Sequence, residues 1–171
     1  SSLGMGGLTY GVTTEEMAAA YAAFANDGVY NSPRLYVKVT DNKGEVLLDN
    51  EAETHVAMKE TTAYFMNKFL QGVVSSGTAT SASFGGMAIA GKTGTAEEVK
   101  NGHKVNHAQF VSFAPYDDPE IAVTVNIPYG YSSSNAATAA KNIYRYYYGY
   151  TDLDYILNNS ALNVSGVEIG D

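Results

Sequence analysis

The sequence predicts an α/β chain of the α+β type, in which an antiparallel sheet is flanked by helices. Three observations carry that reading. Apolar residues recur at helical spacing in separate stretches near residues 13–27, 60–75 and 132–147. Ile121, Val123, Val125 and Ile127 alternate with Ala122, Thr124 and Asn126, the two-residue period of a strand. The strand-like stretches of this region are joined by tight turns, Lys100-Asn101-Gly102-His103 and Asp117-Asp118-Pro119, and turns that short join antiparallel neighbours.

Each element follows in chain order. Thr13 and Glu16 have the spacing of a capping box, which satisfies free N–H groups at a helix start. Met17, Tyr21, Phe24 and Ala25 then share a face, and Gly28 stands where a helix end needs positive φ. Leu35, Val37 and Val39 alternate with Arg34, Tyr36 and Lys38. The turn Asp41-Asn42-Lys43-Gly44 and the return Glu45-Val46-Leu47-Leu48 complete a small surface hairpin. A polar stretch from Asp49 to His55 leads to a helix from about Glu60 to Ser75, with Phe65, Met66, Phe69, Leu70 and Val73 as its apolar stripe. Gly77 and the small residues Thr78 to Ser83 stop it. Three strands are expected next: Met87 to Ala96, interrupted by Gly91 and Gly94, then His107 to Ala114, then Ile121 to Ile127. Ser132-Ser133-Ser134-Asn135 supplies cap residues for a last helix, with Ala136, Ala139, Ala140, Ile143 and Tyr147 on one face. Beyond Gly149 the tail is acidic and expected to be irregular. The main body is therefore residues 1–148 and the tail 149–171.

Composition bounds the function. The chain has 171 residues, which suits one domain with a sizeable core. Its charged fraction is 16%; soluble domains carry about 25%, so part of the surface is expected to meet further protein. Ten Lys+Arg against eighteen Asp+Glu, a net charge of −8, exclude nucleic acid as a partner, because phosphate contacts need clustered positive charge. Without cysteine there is no disulfide framework, thiolate metal site or cysteine nucleophile. No apolar run approaches the roughly 20 residues of a membrane span. The start, Ser1-Ser2-Leu3-Gly4-Met5-Gly6-Gly7, is not a signal peptide and has no initiator Met. A piece of a longer protein is expected, with any anchor or export signal upstream.

The strongest chemical candidate is Ala90-Gly91-Lys92-Thr93-Gly94-Thr95-Ala96. Small side chains on an edge strand let a ligand backbone lie close. Lys92 and the hydroxyls of Thr93 and Thr95 suit a carboxylate, and a strand-edge N–H suits a developing oxyanion. A lone Lys-Thr-Gly is a weak match, and a surface turn is its more ordinary reading. The other candidates read as structural. His103 and His107 have a metal spacing only if helical, and Gly102 and Val105 argue for a turn entering a strand. His55 lies in a polar loop. Asp117-Asp118 is turn chemistry, and Glu97-Glu98 are solvated carboxylates at the rim of a groove. In the run Tyr144 to Tyr148, helical spacing sends Tyr144 and Tyr147 or Tyr148 onto the sheet. Tyr129, Gly130 and Tyr131 form a loop that borders the groove. No metal or other cofactor is expected.

Several ordered blocks resemble the transpeptidase domain of penicillin-binding proteins, relatives of the serine β-lactamases. They are Gly91-Lys92-Thr93-Gly94-Thr95-Ala96-Glu97; Gly6 to Thr13 leading into Met17 to Gly28; Gly72-Val73-Val74-Ser75-Ser76-Gly77-Thr78-Ala79; and Phe110-Val111-Ser112-Phe113-Ala114-Pro115. The resemblance runs from about Gly4 to Tyr148. That family shares three motifs, Ser-x-x-Lys, Ser-x-Asn and Lys-Thr-Gly. No serine here has a lysine three positions later. Ser133-Ser134-Asn135 fits Ser-x-Asn in letters but follows the Lys-Thr-Gly strand, where the family has it before, so it is read as a helix cap. The resemblance thus covers only the C-terminal part of the β-lactamase/transpeptidase-like fold, with the other strands and both missing motifs upstream.

The resemblance implies a peptidoglycan D,D-transpeptidase on the extracytoplasmic face of a bacterial membrane, anchored by a segment outside this chain. An upstream serine would attack a stem peptide ending in D-Ala-D-Ala and form an acyl-enzyme, and β-lactams would acylate the same serine. Lys92 would supply positive potential and tune the acid–base network. Thr93 and Thr95 would bind the carboxylate, the N–H of Thr95 would donate to the oxyanion, and Gly94 would leave room for the acyl group. The alternatives are a D,D-carboxypeptidase or β-lactamase, and a non-catalytic β-lactam-binding sensor or structural module. Taken alone, the chain is expected to be inactive. Its opening helix block looks like that of bifunctional glycosyltransferase–transpeptidases, and its Lys-Thr-Gly block looks more like the monofunctional kind.

Overall fold

The computed structural model describes residues 8–100 and 102–160. Helix α1 (Thr14–Ala25) begins at the expected capping box. The Glu16 N–H donates to the Thr13 hydroxyl at 3.1 Å, and the Thr13 N–H donates to the Glu16 carboxylate at 2.7 Å. The Thr13 backbone and hydroxyl donors hold the Glu16 carboxyl below its ordinary range. Gly28, at φ 88°, turns the chain into β1 (Val29–Asn31). A Cβ there would collide with the Met58 carbonyl, so only glycine fits.

The segment to α2 holds two small antiparallel pairs. One joins β2 (Lys38–Thr40) to β3 (Val46–Asp49), a shorter hairpin than expected, with all of its strand residues exposed. Asp41 Oδ1 fixes its turn by accepting from the N–H groups of Lys43 and Glu45, both at 2.8 Å. The other pairs β1 with β4 (Thr54–Val56), inside what the sequence presents as a polar connection.

Helix α2 (Glu60–Ser76) lies where its periodicity puts it, but its buried side is Ala63, Leu70 and Val74. Phe65 and Phe69, expected in the stripe, are 60% and 66% exposed. Asn67 ties α2 to α1 by donating to the Phe24 carbonyl at 2.9 Å. A short 3-10 turn, Thr80–Ala82, follows.

The sheet is antiparallel in the order β5 (Ala90–Lys100), β6 (His103–Ala114), β7 (Ile121–Ile127). Strand β5 starts later than expected and runs unbroken through Gly91 and Gly94. Alternation sorts the side chains onto two faces. Ala108, Phe110, Ser112 and Ala114 face the same way as Ile121, Val123, Val125 and Ile127. Against them pack Ala136, Ala137, Ala140 and Tyr144 of α3 (Ser133–Tyr147), together with Val74, Ala79 and Ala82. On the other face Ala90, Phe113 and Ala122 meet Tyr21, Phe24 and Leu70 of α1 and α2. The result is three layers, α3 on one side of the sheet and α1 with α2 on the other.

Two expectations are corrected at the C-terminal end. Tyr144 is buried on the sheet as its spacing predicts, but Ile143 and Tyr147 are exposed and Ala137 is buried in their stead. Tyr144 reaches between helix and sheet to Ser112, with the two hydroxyl oxygens 2.9 Å apart. Tyr148 donates to the Ala114 carbonyl at 3.1 Å. Within the tail, Leu153–Ser160 forms α4, with Asp152 accepting from the Tyr155 N–H at 2.6 Å; the remainder of the tail, 161–171, lies outside the described residues. Among the described residues no helix is long and apolar enough to cross a membrane.

Candidate active site

The Lys92–Thr95 segment sits on β5, the edge strand of the sheet, and β6 holds it in register. Lys92 stands opposite Val111, Thr93 opposite Phe110, Gly94 opposite Gln109 and Thr95 opposite Ala108. The outer edge of β5 has no strand partner among the described residues. This is the edge placement that the small-residue run predicts.

The two glycines of this segment have different physical reasons. A Cβ on Gly91 would lie 2.6 Å from both the Ser112 Cβ and the Val111 carbonyl oxygen, so packing against β6 excludes a side chain. A Cβ on Gly94 would meet only the Gln109 side chain, with its Oε1 at 3.1 Å, which can swing aside. At Gly94, then, a side chain is opposed by one movable side chain, whereas at Gly91 it is opposed by β6 backbone.

Lys92 is exposed, and its ammonium curls along the strand. It donates to the Thr93 carbonyl at 2.6 Å and lies 3.5 Å from the Thr93 hydroxyl. Among the described residues no carboxylate comes within ion-pair distance of it. An uncompensated cation on an open strand edge, in a chain of net charge −8, is a place for an anion. Thr95, three residues further along the strand, is exposed as well. Thr93 is only 7% exposed, and its hydroxyl meets a partner that sequence reasoning missed: Thr78, 2.7 Å away oxygen to oxygen. Thr78 belongs to the Gly72–Ala79 block, so the signal was present, but nothing in the spacing pairs it with Thr93.

Of the remaining candidates only Glu97 and Glu98 share β5 with this segment. His103 and His107 both lie on β6, and four residues of strand separate them by about 13 Å. They cannot share a metal ion. His107 lies 3.0 Å from the Glu98 carboxylate, and Lys104 donates to Glu97 at 2.7 Å. Each glutamate thus has a partner across the hairpin, and the Lys104–Glu97 ion pair is exposed and contributes little to stability. Ser132 caps α3 by accepting from the Ser134 N–H at 3.3 Å, and Asn135 donates to the Gly130 carbonyl at 2.9 Å. Ser133 to Asn135 is the first turn of a helix, as the cap reading has it. The Tyr129–Tyr131 loop leans on β6, with the Tyr129 ring 5.2 Å from that of His107 and Gly130 packed against Ala108.

Comparison with known proteins agrees with this architecture. The penicillin binding protein transpeptidase domain matches residues 1–145. The chain is 38% identical over 150 residues to Penicillin-binding protein 1A of Streptococcus pneumoniae, covering 80% of this chain and 20% of that protein. To Penicillin-binding protein 1A of Clostridium novyi it is 37% identical over 147 residues, covering 82% of this chain and 16% of that protein. The crystal structure of the D,D-transpeptidase domain of a peptidoglycan glycosyltransferase from Eggerthella lenta superposes with a TM-score of 0.70 at 35% identity. That match covers 82% of this chain and 33% of the other. The chain therefore spans a fifth or less of these two curated relatives.

Proposed function

The chain belongs to the penicillin-binding protein transpeptidase family, and on that premise we propose that it forms the substrate-binding half of a peptidoglycan D,D-transpeptidase site. The observation that carries the proposal is the open edge of β5, which presents an exposed lysine with no carboxylate partner among the described residues, together with the Thr93 and Thr95 hydroxyls and Gly94. In this reading residues 1–148 belong to the transpeptidase fold and 149–171 are an appended tail.

The chemistry is acyl transfer through a serine carried by a Ser-x-x-Lys segment upstream of this chain. The serine oxygen attacks the penultimate D-Ala carbonyl of a stem peptide, and the carbonyl oxygen becomes an oxyanion. The Thr95 N–H is one of its two donors. The C–N bond breaks, the amine takes a proton, and the terminal D-Ala leaves. An amine from a second stem peptide then attacks the ester and releases the serine. Lys92 supplies positive potential for the substrate carboxylate, and the hydroxyls of Thr93 and Thr95 bind it. Gly94 admits the acyl group. A β-lactam places its carboxylate on the same three side chains.

Further support for an upstream partner comes from the uncovered apolar surface. Tyr64, Phe65 and Phe69 stand exposed on α2, a patch that a soluble protein covers. An anchored extracytoplasmic parent fits this reading.

Acylation of the parent polypeptide by a labelled penicillin tests it. Lys92→Ala is expected to slow acylation by about 100-fold, with circular dichroism and Tm unchanged. Near-normal acylation would remove Lys92 from the site. Acylation with water as the only acceptor would identify the carboxypeptidase or β-lactamase alternative, and a permanent adduct the sensor.

A further inference from the structure

We infer that Thr78 is a positioning residue that turns the Thr93 hydroxyl proton toward the bound carboxylate. The inference rests on the proposed function and deepens it, because it concerns how the same strand recognises its anion.

Thr78 is held by backbone geometry rather than by its own side chain. The N–H groups of Gly77 and Ala79 both donate to the Val73 carbonyl at 3.1 Å, which wraps the chain tightly around the end of α2. A Cβ on Gly77 would lie 2.8 Å from the Val73 Cα, so the wrap requires glycine. Ala79 is fully buried. Thr78 is thereby fixed between two anchored residues, and its hydroxyl meets Thr93 from 15 residues away in sequence.

Proton counting gives the direction. A threonine hydroxyl has one proton and two lone pairs, and a lysine ammonium only donates. One proton lies between the two hydroxyl oxygens, 2.7 Å apart. If Thr93 donates it, the Thr93 proton points at Thr78 and none remains for a ligand. If Thr78 donates it, Thr93 accepts from Thr78, and Lys92, 3.5 Å off, takes the other lone pair as it closes on an anion. The Thr93 proton is then left to point away from both, toward the strand edge. An arriving carboxylate selects this second arrangement, and each bond polarises the next.

The experiment compares penicillin with its carboxyl methyl ester as acylating agents of the parent polypeptide, in Thr78→Val, Thr78→Ser and Thr93→Val. We expect Thr78→Val to slow acylation by the free acid about tenfold, leaving the ester rate within about twofold. Thr78→Ser should restore the acid rate. An equal loss on acid and ester, or no loss on either, overturns the inference, since a merely structural role would not discriminate between them. Thr93→Val separates the two levels of reasoning. If it collapses the acid preference while Thr78→Val does not, only the inference about Thr78 fails. If neither variant changes the preference, the carboxylate-binding role of the strand fails with it.

Discussion

Removing one hydroxyl from the Tyr144–Ser112 pair should cost more than the lost hydrogen bond. Both residues are fully buried, and their oxygens are 2.9 Å apart between α3 and β6. Ser112 has one other contact, a long 3.5 Å approach to the Val123 carbonyl, so it donates there and accepts the Tyr144 proton. Tyr144→Phe leaves the Ser112 hydroxyl without that donor, and Ser112→Ala strands the Tyr144 hydroxyl. Each orphaned buried group costs about 1–3 kcal/mol, or roughly 2–4 °C of Tm per kcal/mol at this size. The double variant places two apolar groups face to face and should be no worse than either single one, giving a coupling energy at least as large as the smaller single effect, about 1–3 kcal/mol. Urea unfolding of the four proteins, followed by far-ultraviolet circular dichroism, measures it. Additive single effects, with a coupling below about 0.5 kcal/mol, would refute the reasoning. The result bears on the site because Ser112 stands opposite Gly91, next to Lys92.

Two further outcomes follow from the same geometry. Gly94→Ala should leave stability within about 1 kcal/mol, because only the Gln109 side chain must yield, while acylation by penicillin falls about 10- to 100-fold. A normal rate would mean that the acyl group does not pass over Gly94. Burial pushes the Tyr144 phenol well above its ordinary value; burial and then the Glu120 charge push Tyr148 up to about 12. Such groups stay protonated in the folded state while the unfolded chain ionises them near pH 10. Their contribution is complete below pH 10 and lost as pH rises toward 12 and beyond. Thermal melts from pH 8 upward should therefore fall steeply above pH 10, and less steeply in Tyr144→Phe; parallel curves would exclude Tyr144 as the cause.

Local chemistry made much of this protein legible. The Thr13–Glu16 capping box, the alternation from Ile121 to Ile127 and the small-residue run around Lys92 each depend on neighbours within a few residues, and each stands where its spacing puts it. The β1–β4 pairing escaped notice because three-residue strands are too short to show a period. On α3 the burial of Tyr144 was legible, but Ile143 and Tyr147 are exposed and Ala137 is buried, because only the approach of the sheet decides which flank of an apolar helix is covered. Part of the tail is a helix, which an acidic composition did not suggest.

The division has one physical cause. Capping, alternation and turn chemistry are short-range properties of the chain, so the amino-acid sequence by itself determined α1 to α3, the three-stranded sheet and the small-residue strand around Lys92. Which helix faces stay uncovered, which edge of the sheet stays open, and which hydroxyl meets Thr93 depend on groups distant along the chain. The tertiary structure alone decided these, by closing the loop after α2 against β5 and setting Thr78 within hydrogen-bond reach of Thr93.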